Sequence, residues 1–254
     1  MILTIDIGNT CIVTGLFHGE KLLFKKRQST QDLFNKEQLT KELNKALKKE
    51  NKTYDEIDSA IISSVVPNLT KTVKDAVESI TGLKAKIVDL KATTKIDLSV
   101  YNENTLGADR IADMVGASTI VKPPFLVCDI GTATTLSFVN KGYRFEGGFI
   151  KAGMKMSLKA LAENTAKLPQ IEPASVSDFP GTTTESAILS GEILGTAAMI
   201  DGIASLLENK YNLNNITIVL TGGLSHLVAP HIIHSMVYEK NLLLYGLKAI
   251  AEAD

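Results

Sequence analysis

The feature that most constrains the fold is an internal repeat. The segment ILTIDIG at Ile2–Gly8 recurs as FLVCDIG at Phe125–Gly131, which places Asp129 123 residues after Asp6 in a chain of 254 residues. Each copy is an apolar run that ends in Asp-x-Gly, the pattern of a buried strand followed by a tight turn. The repeat therefore predicts a duplicated structure in which both halves open in the same way.

Both copies continue with two further β-rich runs that are joined by a short turn. After the first copy these runs are 11–17 and 21–27, and after the second they are 134–139 and 143–150. Short runs joined by tight turns are typical of antiparallel hairpins. Each half is therefore predicted to begin as a three-stranded meander.

The segments after each meander alternate between helical and strand patterns. Helices are predicted over 32–50, 67–79, 107–120, 153–166, 184–207 and 242–251, and strands over 57–66 and 216–220. This alternation indicates an α/β protein made of two halves with a cleft between them. Because Lys122-Pro123-Pro124 breaks the helical pattern, the halves are predicted to be 1–121 and 122–254.

Composition excludes several classes of protein. The chain is 44% hydrophobic and 22% charged with a formal net charge of −1, so it lacks the basic excess of nucleic-acid-binding proteins. Cys11 and Cys128 cannot form a disulfide framework, and no signal-peptide core precedes Asp6. No apolar stretch approaches the roughly 18–20 residues that a membrane span needs. We therefore expect a cytoplasmic protein that binds neither nucleic acid nor membranes.

The two Asp-x-Gly turns are candidate phosphate loops. Asp6-Ile7-Gly8-Asn9-Thr10 and Asp129-Ile130-Gly131-Thr132 each combine a strand-ending carboxylate with a glycine and small polar residues. Backbone N–H groups in such a turn can bind phosphate oxygens, and the carboxylate can hold Mg²⁺ through water. A single turn of this kind is more often an ordinary strand ending, but two copies in matching positions favour a nucleotide site.

The motif Gly107-Ala108-Asp109-Arg110 stands at the start of the helix that ends the first half. Asp109 has two possible roles. It could be structural, as a helix cap or a salt-bridge partner, or it could be a functional carboxylate that a ligand approaches across Gly107. Phosphoryl transfer needs cations on the phosphates and a carboxylate that accepts the proton of the attacking hydroxyl. The sequence has no P-loop, no protein-kinase glycine loop and no nucleophile elbow, so a phosphotransferase would use the two Asp-x-Gly loops.

The segments MILTIDIGNT, GADR, DIGTATT, GGFIKAG and TGG, in this order and over the whole chain, resemble the type III pantothenate kinases. That family belongs to the superfamily of sugar kinases, actin and heat-shock chaperone ATPases. The resemblance implies a duplicated actin-like (ribonuclease H-like) fold with two halves around an ATP cleft. It also implies ATP-dependent phosphorylation of pantothenate at its 4′-hydroxyl, the first step toward coenzyme A, by a homodimer. Two places depart from the family pattern, because Ala152 and the stretch 102–105 stand where the family often has proline.

The resemblance further implies a role for individual residues. Asp109 would be the proton acceptor, Asp6 would hold Mg²⁺ through water, and Asp129 would bind a monovalent cation, K⁺ or ammonium. The ATP-binding residues would be Asp6, Ile7, Gly8, Asn9, Thr10, Cys11, Ile12 and Val13 in the first loop and Thr132 in the second. The pantothenate-binding residues would be Tyr101, Gly107, Ala108, Asp109 and Arg110, together with the partner subunit's Thr184.

Several alternatives stay open on the sequence. The chain could be a non-catalytic relative that binds nucleotide and acts as a regulator, an actin-like assembling ATPase, or a kinase for another small hydroxylated metabolite. Zinc binding by His226, His231 and His234 is disfavoured, because no fourth ligand has suitable spacing. The lysine-rich stretch 41–52 predicts the solvated face of an amphipathic helix.

Overall fold

A computed structural model describes residues 1–32, 35–92, 94–101 and 106–253 of the chain. The chain divides into two compact units. Unit 1 comprises Met1–Ile120 and Leu242–Asp254, and unit 2 comprises Val121–Asn241. Leu33, Phe34 and the departure at 102–105 lie outside the described residues.

Each unit contains one five-stranded sheet, and the two sheets have the same topology. The strands are β1 (Ile2–Ile7), β2 (Cys11–His18), β3 (Lys21–Ser29), β4 (Ser59–Ser64) and β5 (Lys86–Ile87) in unit 1, and β6 (Phe125–Ile130), β7 (Ala133–Val139), β8 (Phe145–Ala152), β9 (Thr217–Thr221) and β10 (Met236–Tyr238) in unit 2. The orders are β3-β2-β1-β4-β5 and, in the matching sequence, β8-β7-β6-β9-β10. In both sheets the first three strands are antiparallel and the fourth runs parallel to the first. The two predicted meanders are therefore confirmed.

Seven helices accompany the sheets within the described ranges. They are α1 (Lys36–Lys49), α2 (Pro67–Thr81), α3 (Ala108–Ile120), α4 (Met154–Glu163), α5 (Thr184–Tyr211), α6 (Ser225–Val228) and α7 (Leu242–Glu252). The predicted helices correspond to all of these except the short α6. The bounds differ most at two helices: α1 begins at Lys36 and not at 32, and α5 ends at Tyr211, four residues later than predicted.

The core of unit 1 lies on one face of its sheet. Leu3, Ile5 and Ile7 alternate along β1 and are fully buried, and they belong to one apolar cluster with residues of α1 and α2 such as Leu43 and Val77. The opposite face of the sheet is covered by α3 and α7. Because successive side chains of a strand point to opposite faces, the residues between these leucine and isoleucine positions, Asp6 among them, face α3 and α7.

The last helix, α7, does not lie in the predicted half of the chain, because the predicted division assigns 122–254 to the second half. α7 packs against α3 and β1 and is part of unit 1. The physical reason is a close helix crossing, in which a Cβ added at Gly246 would lie only 1.7 Å from the carbonyl oxygen of Ala112. Only a glycine lets the two helix backbones approach so closely.

The core of unit 2 is built around α5. Ile193, Ala197, Ile200 and Ala204 of this helix are buried in an apolar cluster with residues of β6, β7 and β9. Thr183 caps the helix, since its hydroxyl accepts a hydrogen bond of 3.1 Å from the backbone N–H of Ser186.

α5 is also long and apolar enough to cross a membrane by length and composition alone, with a mean hydropathy of 1.4 over 18 residues. The prediction that no stretch approaches that length is therefore wrong for this helix. α5 contributes a buried face to the core of unit 2, and its Asp201 accepts hydrogen bonds from the backbone N–H groups of Ile233 and His234. Helices with a face in a protein core can pass the same test, and 33% of this window is buried.

Candidate active site

The first Asp-x-Gly loop joins β1 to β2. The backbone N–H of Gly8 donates a 3.0 Å hydrogen bond to the carbonyl of Cys11, which closes the turn. The Thr30 hydroxyl donates a 2.7 Å hydrogen bond to the carbonyl of Gly8 and so attaches the turn to the end of β3. A Cβ added at Gly8 would lie 4.0 Å from Oδ2 of Asp6, so the carboxylate lies beside this turn. No local sequence pattern predicts the role of Thr30, because its contact with Gly8 depends on the return of β3.

The second loop, between β6 and β7, repeats this geometry in unit 2. The N–H of Gly131 donates a 3.1 Å hydrogen bond to the carbonyl of Ala133. A Cβ added at Gly131 would lie 3.4 Å and 3.5 Å from the two carboxylate oxygens of Asp129. The N–H of Gly153 donates to the carbonyl of Thr132 at 3.2 Å, which places the start of α4 against the loop. Backbone N–H groups at such a helix start are suited to binding an anion.

Gly222 of the Thr-Gly-Gly segment contacts the carboxylate of the second loop. It has a positive φ of 100°, and a Cβ added there would lie 2.3 Å from Oδ1 of Asp129. Both the backbone conformation and the contact exclude a side chain at this position. The Ser225 hydroxyl fixes the turn by donating a 2.6 Å hydrogen bond to the carbonyl of Gly222. The Asp129 carboxylate is therefore held against two glycine backbones.

Asp109 lies in the first turn of α3, and its side chain folds back over Gly107. Oδ1 accepts a 2.8 Å hydrogen bond from the backbone N–H of Arg110, and a Cβ added at Gly107 would lie 2.3 Å from that oxygen. Burial raises the pKa of the Asp109 carboxyl above its usual range, against the opposing effects of the Arg110 hydrogen bond and charge. A carboxylate with a raised pKa is a stronger proton acceptor than an exposed one.

A cavity of about 430 Å³ lies in unit 1 beside this turn, within the volume range of small-molecule sites. Its lining residues are Ser64, Val65, Pro67, Val88, Asp89, Leu90, Lys91, Leu106, Gly107 and Ala108. The structure thus brings Gly107 and Ala108 of the predicted pantothenate site to a cavity wall. Asp109 and Arg110 follow them directly on α3.

Two further residues of the predicted substrate site, Tyr101 and Thr184, belong to different units. Tyr101 is half-buried in unit 1, where its backbone N–H donates a 3.0 Å hydrogen bond to the carbonyl of Leu98. Thr184 is exposed at the first residue of α5 in unit 2. The start of α5 is held by Asp178, and hydrogen bonds from the side chains of Ser177 and Thr182 hold the pKa of that carboxyl well below its usual range.

The predicted site residues are divided between the units. Asp6 and Asp109 belong to unit 1, and Asp129 and Thr132 belong to unit 2. Their meeting around one triphosphate stays a prediction. Ala152, the departure from the family pattern, is the last residue of β8 and pairs with Ala133 of β7.

Metal binding would rely on single carboxylates in each loop. Within residues 1–32, 35–92, 94–101 and 106–253, no group of three or more His, Cys, Asp or Glu side chains could hold a metal ion. Mg²⁺ in phosphoryl-transfer sites is commonly bound by one or two carboxylates with the substrate phosphates. Asp6, whose carboxylate lies beside the Gly8 turn, fits this pattern. Of the histidines, His234 has Nδ1 2.7 Å from Oδ1 of Asp201 on the side of α5.

Comparison with known proteins gives a family match over most of the chain. The family described as type III pantothenate kinase matches residues 2–206. A type III pantothenate kinase of Finegoldia magna is 36% identical over 256 residues, which cover 100% of this chain and 98% of that relative. The enzyme of the same description from an Exiguobacterium species is 32% identical over 254 residues, covering 100% of this chain and 99% of the relative.

A solved structure with a similar fold is the activator of 2-hydroxyisocaproyl-CoA dehydratase from Clostridium difficile with bound ADPNP. It has a TM-score of 0.53 and 13% sequence identity, and the match covers 99% of this chain and 95% of that one. At this identity the likeness concerns the fold alone. The predicted duplicated actin-like α/β fold is confirmed by it and by the matching topology of the two sheets.

Proposed function

The chain belongs to the type III pantothenate kinase family, and from this premise we propose that it transfers the γ-phosphoryl group of ATP to the 4′-hydroxyl of pantothenate. It is an ATP-dependent pantothenate kinase whose product, 4′-phosphopantothenate, is the first intermediate toward coenzyme A. The structural observation that supports the proposal most strongly is the position of the turn at Gly107-Ala108-Asp109-Arg110. Gly107 and Ala108 line a cavity, and the carboxyl of the adjacent Asp109 has a raised pKa.

Asp109 is the proton acceptor in this proposal. The attacking hydroxyl must lose a proton as it bonds to phosphorus, and a carboxylate within hydrogen-bond distance can take it. The backbone N–H of Arg110 occupies Oδ1 of Asp109, so Oδ2 is the oxygen we assign to the proton.

The two Asp-x-Gly loops bind the nucleotide in this proposal. Residues 6–13 and Thr132 contribute backbone N–H groups and small side chains toward the phosphates, and the start of α4 adds an N-terminal helix end beside Thr132. Asp6 holds Mg²⁺ through water, and Asp129 binds K⁺ or ammonium. The bound cations supply positive charge that offsets the negative charge of the phosphates.

We assign pantothenate to Tyr101 and Gly107 through Arg110, with the partner subunit's Thr184 completing the site in a cytoplasmic homodimer. Thr184 is exposed on unit 2, as a residue that contacts a second copy of the chain must be. Unit 2 also has exposed large apolar side chains that would favour association, namely Phe149, Ile150, Met156, Leu161 and Phe179.

An ADP-release assay with ATP, Mg²⁺ and K⁺ tests the proposal on a panel of small alcohols that includes pantothenate. We expect ADP release that depends on pantothenate and is small with the other alcohols. Asp75→Asn is a matched control for Asp109→Asn, since Asp75 is an exposed aspartate on α2 of the same unit. Nucleotide binding without acceptor-dependent ADP release would favour the regulatory alternative, and release with a different alcohol would reassign the substrate.

A further inference from the structure

Each loop aspartate has a hydroxyl residue beside it on the neighbouring parallel strand. In unit 1, Asp6 of β1 is in register with Ser63 of β4. In unit 2, Asp129 of β6 is in register with Thr221 of β9. Adjacent strands lie about 4.8 Å apart, and residues in register place their side chains on the same face of the sheet. The duplication therefore repeats a pair of side chains, an aspartate and a hydroxyl, as well as a loop.

Both pairs lie on the face of the sheet that is turned away from the main apolar cluster of the unit. In unit 1 that cluster contains Ala60 and Ile62 of β4, so Ser63 points to the other face, which α3 and α7 cover. In unit 2 the cluster contains Ile218 and Leu220 of β9, so Thr221 likewise points to the opposite face. Ser63 is 0% exposed and Thr221 is 4% exposed.

The hydroxyl of Ser63 has no structural use in the described part of the chain. Its Oγ is buried and makes no hydrogen bond to any described residue. The next residue, Ser64, differs, because its Oγ accepts hydrogen bonds from the Val66 N–H at 3.1 Å and the Thr70 hydroxyl at 2.7 Å. Buried hydroxyl groups in proteins are almost always hydrogen-bonded, so the Ser63 hydroxyl is available to a partner beyond the hydrogen bonds of the described residues.

Thr221 has a close structural link to its aspartate. It directly precedes Gly222, where an added Cβ would lie 2.3 Å from Oδ1 of Asp129. A hydroxyl at Thr221 is therefore carried by the same short segment that already fixes the position of the carboxylate.

We propose that Ser63 and Thr221 are positioning residues, each of which donates its hydroxyl hydrogen to the adjacent loop aspartate when that carboxylate holds its cation. The donated hydrogen bond fixes the rotation of the carboxylate and leaves the other oxygen for the cation or its water. Partners of this kind commonly change metal affinity by about 10–100-fold when they are removed. The inference rests on the proposed assignment of Mg²⁺ to Asp6 and of the monovalent cation to Asp129.

The test measures binding of a non-hydrolysable ATP analogue by calorimetry while Mg²⁺ and K⁺ are titrated separately. Ser63→Ala should raise the Mg²⁺ concentration for half-maximal binding by about 10–100-fold and leave the K⁺ dependence unchanged. Thr221→Ala should raise the K⁺ concentration for half-maximal binding by a similar factor and leave the Mg²⁺ dependence unchanged. The hydroxyl-preserving variants Ser63→Thr and Thr221→Ser should restore the wild-type concentrations.

The chain offers matched controls on the same strands and faces. Ser59 of β4 pairs with Ile2, and Thr217 of β9 pairs with Phe125, so Ser59→Ala and Thr217→Ala remove the same groups away from the aspartates. Equal effects in the test and control variants would overturn the proposal, as would wild-type binding that does not depend on the cations. Cation-dependent binding without phosphorylation of pantothenate would refute the proposed function and leave this inference standing.

Discussion

Replacement of Asp109 by asparagine should separate catalysis from stability. The substitution conserves the shape of the side chain, and the asparagine oxygen can still accept the 2.8 Å hydrogen bond from the Arg110 N–H. It removes the proton acceptor. General-base catalysis is worth about 10²–10⁴-fold in rate, which corresponds to about 2.7–5.5 kcal/mol of lost transition-state stabilisation. We therefore expect kcat to fall by at least about 100-fold while the fold is retained.

The raised pKa of Asp109 sets the sign of the effect on stability. Because the folded state holds this proton more tightly than the unfolded state, the contribution of Asp109 to stability is fully present below the pKa of the unfolded chain and is lost as pH rises through the higher pKa of the folded state. Asparagine does not ionise and loses nothing over this range. The melting temperature of Asp109→Asn relative to wild type should therefore be higher at neutral pH than at acid pH.

The assays are steady-state kinetics and thermal unfolding at two pH values, with the exposed Asp75→Asn variant in parallel. In the wild type, kcat should also decline as pH falls through the raised pKa of Asp109, since the protonated carboxyl cannot accept a proton. A variant that keeps more than a tenth of wild-type kcat would refute the role of Asp109 as base. A relative melting temperature that falls toward neutral pH would refute the account of its burial.

Two further predictions concern glycines. Gly246→Ala should lower the melting temperature of unit 1, because the new Cβ would lie 1.7 Å from the Ala112 carbonyl oxygen. Overpacking costs about 1–3 kcal/mol of stability. Each kcal/mol shifts the melting temperature of a protein this size by about 2–4 °C. Gly202→Ala on α5, where no described heavy atom lies within 4 Å of the added Cβ, is the control and should leave the melting temperature unchanged or higher. Gly222→Ala should abolish activation by K⁺, because the new Cβ would lie 2.3 Å from Oδ1 of Asp129 and the backbone has a φ of 100°. Wild-type activation by K⁺ in that variant would contradict the assignment of the cation to Asp129.

The parts of the fold that depend on local pattern could be predicted from the sequence. The repeated strand, Asp-x-Gly turn and hairpin identify both meanders, because alternation and turn residues are local signals. The helices are recognised by their apolar periodicity, although some of their predicted ends differ from the observed ends by several residues. α5 shows the limit of this approach, since its hydropathy satisfies the test for a membrane span while one of its faces lies in the core of unit 2.

The features that could not be predicted depend on contacts between distant residues. The association of α7 with unit 1 requires Gly246 to meet Ala112, which is more than 130 residues away in sequence. The pairing of Asp6 with Ser63 depends on the register of two parallel strands, which no local pattern specifies. Asp113 of α3 is only 3% exposed although it is charged, because α3 is covered on several sides, and no local pattern predicts that burial.

The most direct measurement of the central claim follows the γ-phosphoryl group itself. The protein is incubated with pantothenate and with ATP that carries an isotopic label in its γ-phosphoryl group, and the products are separated and identified by mass spectrometry. We predict that the label appears in 4′-phosphopantothenate, and that Asp109→Asn transfers it at least about 100-fold more slowly. Label that stays in ATP, or that appears only in inorganic phosphate, would contradict the account.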